Sequence, residues 1–481
     1  MTAELRVTPT AIPGLLQLDL PVHGDARGWF KENWQREKMI ALGMPDFAPV
    51  QNNVALNSAV GTTRGVHAEP WDKLVSVATG RIFGAWVDLR EGESFGSVFT
   101  VEVGPDQAIF VPRGVGNAYQ TLEPETAYSY LVNDHWSTDA QSEYTFLNLA
   151  DETVAIAWPI PLADAVISDK DLAHPRLADV TPMPPKKTLI LGATGQLGKA
   201  LVELLPDATA LGRAQFDVTD PAAYAEFPWR SYDTVINAAA YTKVDEAETE
   251  QGRGDAWAAN VTAVAHLAKA AITHNLTVVH VSSDYVFDGT VEVHDEDEPF
   301  SPLGVYGQTK AAGDAIISTV PRHYIVRTSW VIGDGHNFVR TMASLAESGV
   351  NPTVVDDQWG RPTFTTDLAA AILHLINVRA DYGTYNITND GEPTTWADLA
   401  RQVFALTGHD PSRVTGTRTS DYFAGKLFAP RPVRSTLALG KMRAARYLPT
   451  AWDHALRLHL APIAGRSDMR PTSDSGGASR E

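Results

Sequence analysis

Tyr306-Gly-Gln-Thr-Lys310 sets a phenol and an ammonium four residues apart, on one face of a predicted helix. An ammonium beside a phenol favours phenolate, lowers the tyrosine pKa and makes Tyr306 a better proton donor to a carbonyl oxygen. The same spacing also arises on any ordinary helix face, so its meaning depends on its company. Upstream, Val281-Ser-Ser-Asp-Tyr-Val-Phe-Asp288 closes a predicted parallel strand, and strand ends are where open α/β sheets bind ligands. The Ser283 hydroxyl there can hydrogen-bond the same carbonyl. Earlier still, Gly192-Ala-Thr-Gly195-Gln196-Leu197-Gly198 stands between a predicted strand and a predicted helix. Glycines at such a junction let the backbone turn sharply and approach a pyrophosphate, which the helix N-terminus stabilises. A glycine turn alone is weak; followed by a serine at a strand end and a Tyr/Lys pair, it has the order that a nicotinamide-dependent carbonyl reduction requires. After the second predicted strand (ATALGR), Arg213 replaces the acidic residue that would grip an adenosine ribose 2′-hydroxyl. An arginine there accepts a 2′-phosphate and favours NADPH over NADH, the alternative being a solvated surface charge. Asp217 and Val218 follow and are placed near the adenine.

The elements that must hold these groups differ between the two halves. From Thr188, apolar strands (TLILGATG, DTVINAAA, TVVHVSS, HYIVRTSW) alternate with Ala-rich helical segments such as VTAVAHLAKAAITH. That alternation predicts an α/β Rossmann-type, doubly wound parallel sheet, to which the family resemblance described below adds a small substrate-binding lobe. Residues 1–180 are instead strand-like: KLVSVATG, IFGAWVDLR, VFTVEVG and AIFVPRG are rich in β-branched and aromatic residues and punctuated by Gly, Pro and Asp. Their spacing predicts a β-sandwich or jelly roll. Prolines in VTPMPPKK suit neither helix nor central strand, so 181–187 reads as a linker. The expected order is a jelly roll over 1–180, a reductase-type unit over 188–464 and a polar, disordered tail over 465–481.

A chain of 481 residues is too long for one ordinary core. An apolar content of 44% and charged content of 20% are those of a soluble globular protein. No apolar run is long enough to span a membrane, and the N-terminus lacks a signal-peptide pattern. With no cysteine there are no disulfides or thiolate metal sites, which fits the cytoplasm. A net charge of −19 argues against non-specific nucleic-acid binding. An anionic nucleotide ligand needs only a local cluster of donors. No membrane or nucleic-acid partner is expected.

Residues 188 to about 460 resemble the dTDP-4-dehydrorhamnose reductase family of extended short-chain dehydrogenases. The resemblance is carried by GATGQLGKAL, VINAAAYTKVDEAE, AANV (258–261), VSSDYVFDG, PFSPLGVYGQTK, VRTSWVIG, DDQWGRPTFTTDLA and RPVRSTL. It implies Ser283, Tyr306 and Lys310 as the catalytic set, Ser283 standing where many relatives have threonine. It also implies Ala238, Ala239 and Tyr241 along the cofactor, and Asp245, Trp330 and Arg431 toward the sugar nucleotide.

Residues 13 to about 180 resemble the dTDP-4-dehydrorhamnose 3,5-epimerase family, whose fold is a cupin-like jelly roll. The matching stretches are Asp25-Ala-Arg-Gly-Trp-Phe30, Gln51-Asn-Asn, Arg64-Gly-Val-His67, Lys73-Leu-Val, Val87-Asp-Leu-Arg90 and Ser168-Asp-Lys-Asp171. A 4-keto group acidifies the sugar hydrogens beside it, so epimerisation needs a base and an acid on opposite faces. His67 suits the base, having an unperturbed pKa near neutrality. The resemblance implies Asp171 as the holder of its other ring nitrogen and Tyr130 as the proton donor. Lys73 would stabilise the enolate, and Arg27 and Arg64 would meet the diphosphate. His67 and Glu69 also suggest a cupin metal, but a metal needs three or four convergent ligands and the sequence supplies no such set, so none is expected. Two positions depart from the family: Gly84 stands where relatives usually have Asp, and Asn117 where they usually have His; the residues after His67 (AEPWD) differ too.

The expected protein is a homo-oligomeric, bifunctional enzyme that epimerises and then reduces a dTDP-linked 4-keto-6-deoxy sugar with NAD(P)H. Gly84 and Asn117 keep open a reductase whose front half only binds or oligomerises. A non-enzymatic regulatory subunit is the third reading, against which the retained Ser283, Tyr306 and Lys310 weigh.

Overall fold

The computed structural model describes residues 4–425 and 428–467, and its contacts divide into two compact units, Met1–Pro185 and Lys186–Glu481.

The strands of the first unit are, in chain order, β1 (Arg6–Pro9), β2 (Leu16–Asp19), β3 (Val22–Asp25), β4 (Gly28–Lys31), β5 (Gln51–Asn57), β6 (Thr63–Ala68), β7 (Lys73–Thr79), β8 (Ile82–Asp88), β9 (Val98–Val103), β10 (Gln107–Val111), β11 (Val115–Thr121), β12 (Thr126–Val132) and β13 (Thr145–Phe146). They form a six-stranded sheet, β1-β2-β10-β7-β12-β5, and a five-stranded sheet, β13-β6-β11-β8-β9, with β3–β4 as a separate hairpin. This is a jelly-roll sandwich. Val75, Val77, Ile109 and Val111 from one sheet pack with Ile82, Trp86, Val115 and Tyr119 from the other. Edge strand β5 alternates covered and exposed residues, whereas β7 and β8 lie inside their sheets and are buried apart from Ala78 and Thr79 at the end of β7 and a half-buried Phe83 in β8.

The stretch expected to be a free linker is partly bound. Met183 is buried, its amide donates to the Leu89 carbonyl at 2.8 Å, and the Glu91 amide donates back to it at 3.0 Å. Prolines on both sides exclude helix but leave that residue free to pair at a sheet edge.

In the second unit β14 (Lys187–Leu191), β15 (Thr209–Leu211), β16 (Tyr232–Asn237), β17 (Thr277–Ser283), β18 (His323–Thr328) and a last strand, Gly383–Asn386, form one parallel sheet. Its order is β15-β14-β16-β17-β18 and then the last strand. Helices cover both faces, with one core around Val235, Val264 and Leu267 and another around Ile190, Leu201 and Ile372. The chain reverses direction across the sheet between β14 and β16, opening a crevice at their carboxyl ends. A lobe with its own core, including Val339, Leu399, Phe404 and Leu456, is built from the helices Phe338–Glu347, Trp396–Leu406 and Trp452–Ser467. Of the tail expected from 465, residues Gly465–Ser467 end that last helix, and 468–481 lie outside the described residues.

Candidate functional sites

Gly192 follows β14 at φ +79, and a Cβ there would sit 2.6 Å from the Ala239 amide nitrogen. A Cβ on Gly198 would meet the Gly192 carbonyl oxygen at 2.2 Å, so the helix Gln196–Leu204 rests directly on the turn. Gly195 is that helix's N-cap and offers no side-chain cap, which leaves the first amides available to an anionic ligand. The resulting cleft of about 510 Å³ is lined by Gly192, Gly195, Ala238, Ala239 and Tyr241. Arg213, Asp217 and Val218 line it further along. A pyrophosphate dinucleotide fits these residues: bare backbone at the turn, a helix start behind it and a cation beyond. Arg213 is 81% exposed and pairs with Asp217 at 3.1 Å, so it can turn to a phosphate without crossing a packed region.

Two of the expected cofactor residues face elsewhere. Gln196 accepts a hydrogen bond from the Gly333 amide at 2.9 Å, and Leu197 is buried in the core behind the sheet. Their side chains hold the turn in place rather than lining the cleft.

Ser283 ends β17, and Tyr306 and Lys310 lie on the helix Val305–Ile317 beside it. The Tyr306 phenol lies close enough to the Ser283 hydroxyl for that group to favour its ionised form. Ser283 also donates to Asp284 at 2.8 Å, and burial pushes that carboxyl up to about 6. The expectation that Lys310 lowers the tyrosine pKa is not met. Burial pushes Tyr306 up to about 12, with Ser283 opposing and the negative charges of Asp284 and Asp314 adding to the rise. Lys310 is itself buried, donates to the Val281 carbonyl at 2.7 Å, and is pushed down to about 8 by burial despite Asp314. A buried ammonium fixed to a carbonyl offers less to a neighbouring phenolate than the spacing alone suggested.

Asn260, in the AANV stretch, had no assigned role. It accepts from the Tyr241 amide at 2.9 Å, and its own amide donates to the Tyr241 carbonyl at 3.1 Å and to Thr309 at 3.0 Å. It therefore ties the cleft wall to the helix bearing Tyr306, and it does so from a π-helical turn, Ala258–Thr262. An asparagine in an apolar helical stretch was the available signal.

Asp245 and Arg431 meet at 2.8 Å, and Tyr285 is near enough for its hydroxyl to favour the charged form of Arg431. The Tyr285 ring stands edge-on to Tyr306 at 5.6 Å, which puts this group beside the phenol. Trp330 is held instead in the lobe, stacked on Trp396 at 3.7 Å.

In the first unit His67 lies on β6, and Tyr130 and Lys73 come from β12 and β7 of the facing sheet. His67 Nε2 is 3.0 Å from Asp171 Oδ1. Asp171 is placed by a short helix whose N-cap, Ser168, accepts its amide at 3.2 Å. Burial raises the Asp171 pKa, but His67, the Gly65 amide and His174 outweigh it and hold the carboxyl low. The ring proton of His67 then sits on Nε2 toward the carboxylate and leaves Nδ1 as the basic nitrogen. Tyr130 is pushed up to about 12 by burial and by Glu69, so it is protonated at neutral pH.

Glu69 answers the departure at position 84. It is buried and pairs with Lys73 at 3.1 Å, while its other oxygen accepts from Trp71 at 2.6 Å. Any Cβ at 84 would lie 2.2 Å from the Trp86 ring. The lysine's carboxylate thus comes from the AEPWD segment, and the indole fills the space where an aspartate would stand. Asn117, paired across the sheet with His67, exchanges hydrogen bonds with the Tyr128 hydroxyl at 3.0 and 3.2 Å. Arg64 donates to Asn57 at 3.1 Å, at the oxygen that also accepts from the Tyr119 hydroxyl, and its charge reaches Tyr130. Arg27 is not brought to this group: it lies on the β3–β4 hairpin, 90% exposed and paired with Asp25.

The expectation of no metal-ligand set rested on His67 and Glu69 alone. The structure turns Glu69 to Lys73 and brings His174 to His67 and Asp171 instead.

The RmlD substrate binding domain model matches residues 186–464, and the dTDP-4-dehydrorhamnose 3,5-epimerase model matches residues 9–179. A protein RmlC homolog of Streptococcus pyogenes serotype M6 is 51% identical over 180 residues, 36% of this chain and 90% of that protein. A dTDP-4-dehydrorhamnose reductase of Aggregatibacter actinomycetemcomitans is 37% identical over 292 residues, 56% of this chain and 97% of that protein. Among solved structures, dTDP-4-dehydrorhamnose reductase from Bacillus anthracis in complex with NADP is similar at a TM-score of 0.54 and 31% identity. The match covers 58% of this chain and 99% of that one.

Proposed function

The chain belongs to the RmlD substrate binding domain family, with a dTDP-4-dehydrorhamnose 3,5-epimerase unit before it, and from that premise we propose a bifunctional enzyme of dTDP-L-rhamnose synthesis. The first unit epimerises dTDP-4-dehydro-6-deoxy-D-glucose at C3 and C5, and the second reduces the C4 ketone with NADPH. The observation that carries the reading is the presence of two separate proton-handling sets, His67 with Asp171 and Tyr306 with Ser283.

In epimerisation His67 Nδ1 removes the proton beside the ketone, and Asp171 holds the imidazolium that forms. Lys73, held by Glu69, stabilises the enolate oxygen. Tyr130, from the opposite sheet, returns a proton to the other face. In reduction, a nicotinamide dinucleotide in the glycine-turn cleft would supply the hydride. Tyr306 gives its proton to the C4 oxygen, Ser283 hydrogen-bonds that oxygen, and Lys310 keeps a positive charge beneath the phenol. Asp245, Arg431 and Tyr285 hold the sugar nucleotide next to Tyr306. Arg213 supports a preference for NADPH, measurable as a kcat/KM ratio over NADH that falls in Arg213→Ala.

The exposed Trp29, Phe30, Val54 and Leu56 support a homo-oligomer. The lack of cysteine supports a cytoplasmic enzyme, and among the described residues no helix is long and apolar enough to cross a membrane.

The test is incubation with the keto sugar in D2O. Without NADPH, label should enter at C3 and C5; with NADPH, dTDP-L-rhamnose should form. NADPH-dependent reduction of pre-epimerised substrate without any exchange activity would leave the reductase and reduce the first unit to a binding module.

A further inference from the structure

His174 has no part in the epimerisation chemistry, yet it is built into the same place. Its side chain is 7% exposed, stacks on Phe146 at 4.7 Å and stands edge-on to His67 at 5.3 Å. Neither ring nitrogen makes a well-formed hydrogen bond; Asp171 Oδ1, 3.9 Å from Nε2, and the Gly65 backbone are its polar neighbours. A buried polar group left unpaired is destabilising and calls for a ligand or another account. One ligand atom from each of His67, Asp171 and His174 lies within 4.8 Å of the other two.

We propose that His67, Asp171 and His174 bind one divalent transition-metal ion of the zinc, cobalt or nickel kind, and that its binding switches epimerisation off. Two imidazoles and one carboxylate suit these borderline ions, whereas magnesium and calcium take oxygen ligands. Metal–ligand bonds of about 2.0–2.1 Å put tetrahedral ligand atoms about 3.3 Å apart. The present separations of 3.0 Å and 3.9 Å from Asp171 Oδ1 bracket that spacing, so small side-chain turns close the site. His67 is 33% exposed, which gives an entry path and an open coordination position. The switch rests on the reading of His67 as the base. A metal ion on Nε2 displaces the proton held toward Asp171, and the neutral ring then carries its one proton on Nδ1. The lone pair that removes the sugar proton is lost, with no change in oxidation state and no net proton release required.

The experiment uses the untagged full-length chain, stripped of metal with a chelator. Titration with Co2+ should give visible d–d bands saturating at one equivalent, and these should be absent in His174→Phe and His174→Gln. The phenylalanine keeps a ring against Phe146, and near-ultraviolet dichroism checks that each variant is folded. Zn2+ should suppress deuterium exchange into the keto sugar at least tenfold in wild type and leave exchange by the His174 variants intact. Copper electron paramagnetic resonance on wild type alone should show two imidazole nitrogens, a result that does not depend on variant folding. Absence of cobalt binding up to millimolar concentration, equal binding by folded variants, or a single imidazole overturns the site. Cobalt binding with exchange unaffected by Zn2+ overturns the switch. No exchange by metal-free wild type would instead remove the base assignment, while the cobalt and copper results still decide the site.

Discussion

Lys310 shows how burial of a charge sets the working range of a site. Lys310, held at about 8 by burial, is the cationic form below that pH and neutral above it. Tyr306, near 12, stays protonated throughout the usual range. The basic limb of kcat/KM for reduction should therefore bend near pH 8 because the ammonium is lost, not because the phenol ionises. Lys310→Arg, which keeps its charge, should move that limb upward by more than a unit in whatever activity remains; an unmoved limb would assign it to another group. For the epimerase, Glu69→Gln should slow deuterium exchange about 10- to 100-fold, the usual effect of losing a group that orients a catalytic residue. Reduction of pre-epimerised substrate should be unchanged. Adding Gly84→Asp should fail to restore exchange, since Trp86 occupies the space it would need.

At the scale of the element, the glycine turn works because β14, β16 and the following helix approach more closely than a methyl group allows. Gly198→Ala should destabilise the second unit by about 1–3 kcal/mol, through overpacking against the Gly192 carbonyl. It should also weaken NADPH binding, because the helix start is displaced. Gly254 gives the comparison: it lies in the helix Glu250–Trp257 with nothing within 4 Å of an added Cβ. Gly254→Ala should be neutral or stabilising by up to about 1 kcal/mol. Thermal unfolding and NADPH fluorescence titration read both effects. Equal outcomes for the two glycines would mean that the close approach carries no energetic weight.

At the scale of the whole molecule, the contact division at Pro185/Lys186 predicts two units that fold and act separately. A chain beginning at Lys186 should bind NADPH and reduce pre-epimerised substrate, and residues 1–185 alone should catalyse exchange. A shorter piece, 1–180, loses the buried Met183 and its two backbone hydrogen bonds. It should melt measurably lower than 1–185, by an amount corresponding to about 2–5 kcal/mol. Identical melting would return that stretch to the role of a free linker. Joining the units keeps the epimerised product near the site that consumes it, at an effective concentration set by the connection.

The parallel sheet, the sandwich, the glycine turn and the Ser283, Tyr306 and Lys310 set were legible because each follows from local pattern. Strand and helix periodicity, turn glycines and i,i+4 spacing are written in consecutive residues. Even the pairing of His67 with Asp171, a hundred residues apart, was reachable through family resemblance. What the sequence could not supply was the environment of each group. Whether Lys310 faces the phenol or a backbone carbonyl depends on burial and on Val281, Asp284 and Asp314, which only folding gathers. Glu69 replaces a carboxylate missing from another strand, and Trp86 explains why it is missing, through contacts between side chains that no spacing records. His174 was passed over for the same reason. In the chain it is a histidine between alanine and proline, and only the packing of Phe146, Asp171 and His67 around it leaves two buried nitrogens to be satisfied.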